Sequence, residues 1–187
     1  MLVEVIVDTS GSMAEMGKIH LQWNLCRFIR ELDTINPIFQ SDADFRIFQW
    51  NSKIGELELE ANGDITTTVP VGASDLVVLS SMLETHLVKN HRLNVLILSD
   101  GYFNSSMLNH FNRWLKDHPD ISIRTVAIGA DANLHSLKHL STNNDVYFPE
   151  DIPAAIESMV YDFGSSTLPP TDLEHILSSG SKAGLKD

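Results

Sequence analysis

Val3-Glu4-Val5-Ile6-Val7-Asp8-Thr9-Ser10-Gly11-Ser12-Met13 decides how this chain folds. A β-branched, almost wholly apolar run ends in a carboxylate, Asp8. Two hydroxyls come next at spacing two, with Gly11 between them. Such a run reads as a buried strand, and the residues after Asp8 read as a tight polar turn. Carboxylate and hydroxyl oxygens on one turn are hard ligands, suited to a hard divalent cation. A second apolar run, Leu93–Ser99, ends at Asp100. If both strands lie parallel in one sheet, the two carboxylates emerge on the same edge, where open parallel sheets collect their ligands. Neighbouring like charges repel unless a cation lies between them.

Outward from these two segments, strand and helix patterns alternate. Strands are expected at Val3–Val7, Asp44–Trp50, Glu56–Glu60, Leu93–Ser99, Ile121–Ile128 and Val146–Phe148. Glu56–Glu60 alternates Glu and Leu, the pattern of a half-exposed antiparallel edge, with Asn51-Ser52-Lys53 as its hairpin turn. Helices are expected at Met16–Leu32, Ser74–Lys89, Ser106–Lys116, Leu134–Leu140 and Ile152–Phe163. The stripe Ile19, Trp23, Cys26, Ile29, flanked by Leu21, Leu25, Phe28 and Leu32, is wide enough to pack on a sheet. This order predicts an α/β domain with a mainly parallel, six-stranded sheet and helices on both faces. The domain is expected over 1–163. Residues 164–187 read as a tail, with a capping-box spacing at Thr171–Glu174 that would start a short helix.

The chain has 187 residues, enough for one domain with a full core. Its formal charge of −12 argues against unspecific binding to nucleic acid or an anionic membrane. No apolar stretch is long enough to cross a bilayer. The single cysteine, Cys26, allows no intrachain disulfide, and the first residues lack the pattern of a signal peptide. A cytoplasmic location is the resulting expectation.

Competing chemistries fit less well. Gly11–Lys18 has five residues between its glycines where a phosphate-binding loop needs four, and Ile19 replaces the metal-binding Ser/Thr. Neither a Gly-x-Ser-x-Gly elbow nor a His motif supports Ser10 as a nucleophile. His135 and His139 have zinc-compatible spacing but no further ligand beside them. A phosphatase with Asp8 as nucleophile would need a nearby acid/base carboxylate and a phosphate-binding Lys or Arg. A metal-dependent hydrolase or phosphoesterase using the same Asp/Ser cluster is the alternative from a different class.

Asp8-Thr9-Ser10-Gly11-Ser12 matches the DxSxS signature of von Willebrand factor A (VWA) domains, their metal-ion-dependent adhesion site. Leu98-Ser99-Asp100-Gly101 resembles that family's TDG segment, with serine for threonine. Gly72-Ala73-Ser74-Asp75-Leu76 resembles its GGTxL segment, with Ser74 at the threonine ligand. The resemblance implies a Rossmann-like three-layer fold with one antiparallel edge strand. It implies a divalent ion, magnesium first and manganese or calcium as alternatives, held by Asp8, Ser10, Ser12, Ser74 and Asp100. It further implies an open coordination position filled by an acidic residue of a protein partner, and no catalysis. Tyr102, Phe103 and Asn104, next to Asp100, are expected to shape the partner surface. The chain is similar to stand-alone bacterial VWA proteins of tellurite-resistance and stress-response systems, whose partners include kinases, phosphatases and AAA+ ATPases.

Overall fold

The computed structural model describes residues 2–35, 44–58 and 64–164. Five strands form one sheet in the order β3-β2-β1-β4-β5. They are β1 (Leu2–Asp8), β2 (Asp44–Trp50), β3 (Ile54–Glu56), β4 (Leu93–Ser99) and β5 (Ile121–Ala127). All neighbours run parallel except β2 and β3. Among the described residues five α-helices accompany them: α1 (Lys18–Ile35), α2 (Leu76–Asn90), α3 (Ser105–Lys116), α4 (Leu134–Leu140) and α5 (Ile152–Gly164).

Alternation along the strands divides the core into two layers. Val3, Val5 and Val7 of β1 join Leu96 and Leu98 of β4 beneath α1 and α5, which contribute Trp23, Cys26, Ile29, Ile156 and Met159. Ile6, Val95 and Ile97 point to the opposite face, against Leu79 and Leu83 of α2 and Phe111 of α3. Each such side chain, fully buried, contributes roughly 1.5–3 kcal/mol. The central strands are covered on both faces, which is why they read as continuous apolar runs. Cys26 belongs to this core, and burial pushes its thiol up to about 12, so it is unreactive.

Three expectations change. The sixth strand, Val146–Phe148, shrinks to a single parallel bridge between Tyr147 and Val126. Asn144 has φ 57° before it, and Pro149 starts a 3-10 turn after it, leaving too little extended chain for a ladder. The edge strand forms earlier than expected, at Ile54–Glu56, because Asn51 closes the hairpin tightly: its side chain accepts the Lys53 amide at 3.0 Å. Of the expected Glu56–Glu60 strand, residues 59 and 60 lie outside the described residues. Helix α1 starts at Lys18 and not at Met16, because a 3-10 segment, Gly11–Gly17, ends with Met16 and Gly17 at φ 53° and 73°. The tail beyond 164 also lies outside the described residues.

Candidate metal centre

Strands β1 and β4 are parallel neighbours, with Val7 opposite Leu98. Asp8 closes β1 and Asp100 follows β4, so both stand at the C-terminal edge of the sheet, in its interior columns. Both are fully buried.

Asp8 is surrounded by neutral donors. Its Oδ1 accepts the Ser10 amide at 2.9 Å. Its Oδ2 accepts the Ser99 hydroxyl at 2.6 Å. The Ser74 hydroxyl lies 2.9 Å from both oxygens. Burial raises the carboxyl above its ordinary value, and the hydrogen bonds from Ser99, Ser10 and Ser74 only oppose that rise. Beside it, the Ser10 and Ser12 hydroxyl oxygens are 3.1 Å apart. A hydroxyl that donates to a carboxylate keeps its lone pairs for another partner.

Ser74 reaches Asp8 across 66 positions of sequence because its loop is laced to the first turn. Gly11 N–H donates to the Gly72 carbonyl at 2.9 Å, and Val71 N–H to that of Thr9 at 2.9 Å. The Asp75 amide is held by the Asn51 carbonyl at 3.0 Å. Asp75 itself caps α2, its carboxylate accepting the Val77 amide at 2.8 Å.

Asp100 has a different environment. Its Oδ2 accepts a hydrogen bond from Lys18 Nζ at 2.9 Å, and the same ammonium donates to Asp131 Oδ2 at 2.8 Å. The Lys18 and Asp100 side chains are each 1% exposed. Burial acts to lower the lysine's pKa, but hydrogen bonds and charge from Asp131 and Asp100 outweigh it and leave it raised. Lys18 in turn holds the Asp131 carboxyl below its ordinary range. Gly101 makes this turn feasible: it has φ 78°, and a Cβ there would lie 2.7 Å from the Asn133 carbonyl oxygen. The expectation that Asp8 and Asp100 coexist only through an external cation therefore changes: one of them has a cation supplied by the chain.

Of the three expected surface residues, Tyr102 is exposed and its hydroxyl donates to the Asp131 carbonyl at 3.0 Å. Phe103 is half-buried, its ring 5.8 Å from that of Trp50. Asn104 is exposed and caps α3 by accepting the Ser106 amide at 2.9 Å. Lys18, Asp131 and the hydroxyl role of Ser99 were not singled out by the sequence pattern. Ser99 adjoins Asp100 and occupies the threonine place of the TDG-like segment. Nothing local marks Asp131, which meets Lys18 across 113 positions.

The residues fit a hard divalent cation. The donors are all oxygen, and the Asp8 charge has no cationic hydrogen-bond partner. Among the described residues no group of three or more His, Cys, Asp or Glu could hold a metal, so any ion here depends on hydroxyls. A cleft of about 490 Å³ between α3 and α4 contains Lys116 and Lys138. It faces the C-terminal ends of both helices, whose dipoles account for those lysines without a ligand.

No family model matches the sequence, and no curated protein matches it. Solved structures do. Manganese-loaded TRAP protein from Plasmodium vivax is similar at 16% identity and TM-score 0.61, over 83% of this chain and 71% of that one. Proximal thread matrix protein 1 from the mussel byssus, with a zinc-occupied MIDAS motif, is similar at 14% identity and TM-score 0.57, over 85% of this chain and 44% of that one. The ArnB paralogue VWA2 from Sulfolobus acidocaldarius is similar at 18% identity and TM-score 0.56, over 82% and 43%. The fold is that of a von Willebrand factor A domain. This chain spans less than half the length of the mussel and Sulfolobus chains it matches. Here β1, β4 and the loop before α2 bring Asp8, Ser99 and Ser74 together. Among the described residues no helix is long and apolar enough to cross a membrane.

Proposed function

We propose that this VWA-fold domain is a metal-dependent protein-interaction module, without catalytic activity of its own. One observation carries the reading: Asp8 is a fully buried carboxylate with only neutral partners, set beside a pair of hydroxyls. Ser10, Ser12 and Ser74 would hold a divalent ion, most simply magnesium. Asp8 would orient Ser10 and Ser74 through its own hydrogen bonds, with Ser12 held through the Ser10 hydroxyl, and Asp100 would act from the outer shell. The ion's contribution is an electrophilic position for one further anionic oxygen, and a partner's carboxylate supplies it.

The surroundings support a protein partner. Met16, Val69, Val71 and Tyr102 are each more than half exposed, and all lie on the segments that carry or adjoin Ser12, Ser74 and Asp100. An acidic side chain flanked by apolar neighbours matches such a rim. A phosphatase with Asp8 as nucleophile would need a lysine or arginine to take phosphate, and Lys18, beside this cluster, is buried between two carboxylates. By family resemblance the setting is a cytoplasmic bacterial stress-response complex with a kinase, phosphatase or AAA+ ATPase. The 1–163 boundary is part of the same reading.

The test is retention of host proteins on the immobilised chain in magnesium. Wild type should retain a partner that EDTA releases, and Asp8→Ala, folded by circular dichroism, should not. Equal retention by both, with and without chelator, contradicts the proposal.

A further inference from the structure

Lys18 is the largest departure from a plain carboxylate-and-hydroxyl centre. A lysine with 1% of its side chain exposed is costly unless its charge is answered, and here two carboxylates answer it. The chain is shaped to bring it inward. Two successive left-handed residues, Met16 and Gly17, turn the backbone so that α1 begins at Lys18. Gly129, at φ 92°, leaves room for the aliphatic stem: a Cβ there would lie 2.8 Å from Lys18 Cε. On the outer side the Tyr102 ring lies 5.6 Å from Nζ. Its two acceptors differ. Asp100 is 1% exposed, whereas Asp131 is 33% exposed and reaches solvent.

We propose that Lys18 is a built-in competitor for Asp100 and sets how tightly the adjoining centre takes a divalent ion. The inference rests on the metal-binding reading of the Asp8 cluster. With the ammonium in place, Asp100 is already neutralised, so an incoming ion gains little from it and meets a like charge nearby. The centre then binds with the charge of Asp8 alone. Asp131 completes the device. When an ion draws on Asp100, Lys18 keeps a partner at Asp131 and is not left alone in the interior. The two variants therefore move affinity in opposite directions. Removing the ammonium frees Asp100 for the ion. Removing Asp131 ties Lys18 to Asp100 alone.

Calorimetric titration with manganese chloride, at fixed pH and ionic strength, compares wild type, Lys18→Met and Asp131→Asn after circular dichroism has checked the fold. Lys18→Met should bind manganese at least tenfold more tightly than wild type, and Asp131→Asn several-fold more weakly. A lysine with a purely structural role would weaken binding or leave it unchanged in Lys18→Met, and either result overturns the inference. If Lys18→Met does not fold, Asp131→Asn decides: unchanged or tighter binding overturns it. Equal affinity in all three chains removes the competitor and leaves the metal site standing. Absence of manganese binding in all three removes both.

Discussion

Asp8 closes β1 and Asp100 follows the adjacent parallel strand β4, one position beyond the place opposite Asp8, and both are fully buried. Their charges are answered differently. Asp8 receives one amide and two hydroxyls, all neutral. Asp100 receives the ammonium of Lys18 at 2.9 Å. Topology alone therefore does not make two carboxylates equivalent. One is closed by an ion pair within the chain, and the other retains charge for something external. The asymmetry also separates folding from ion binding: a centre that carries part of its own counter-charge has less need of metal in order to fold.

The largest effect should come from breaking the ion pair. In chelator, Lys18→Met leaves Asp100 buried without a cation, and urea unfolding should show a loss of about 3–5 kcal/mol. Asp8→Asn removes a charge that has no cationic hydrogen-bond partner, and its cost should stay near ~1 kcal/mol, the scale of rearranged neutral hydrogen bonds. Similar losses in both variants would erase the distinction.

A smaller, pH-dependent effect refines the contrast. Burial raises the Asp8 carboxyl in the folded chain above its unfolded value of 3.8, so the folded state takes up the proton first. That contribution is fully present below the unfolded value and is lost as pH rises through the raised one. In chelator, the stability of wild type minus that of Asp8→Asn should therefore increase as pH falls from about 7 toward about 4. A difference that declines on acidification would mean that Asp8 is better compensated than its neutral partners allow.

How much of this was legible in the sequence depends on how local each signal is. Asp8, Ser10 and Ser12 lie within five residues of a strand end, and Ser99 and Asp100 end a second apolar run. Strand polarity and hydroxyl spacing are enough to suggest a shared site. Ser74 was legible only as a hydroxyl at an expected helix start and through its resemblance to a family segment, because nothing near it reveals the lacing of its loop to Thr9 and Gly11. Lys18 was hidden by its position. It falls on a helical pattern whose expected start, Met16, placed it within the first turn, and the left-handed pair Met16–Gly17 that turns it inward carries no apolar period. Asp131 is a loop residue far away in sequence. The sheet was legible wherever strands are buried on both faces. It was overextended at Val146–Phe148, where Asn144 and Pro149 confine the chain to one bridge.

Every role proposed for this domain requires the Asp8 cluster to take up an external divalent cation. Calorimetry of the whole chain with magnesium chloride, repeated with manganese chloride, decides whether it does. One saturable ion per wild-type chain is expected, and none in folded Asp8→Asn. Wild type that takes up neither ion, or a variant that binds as well as wild type, would refute the proposed role.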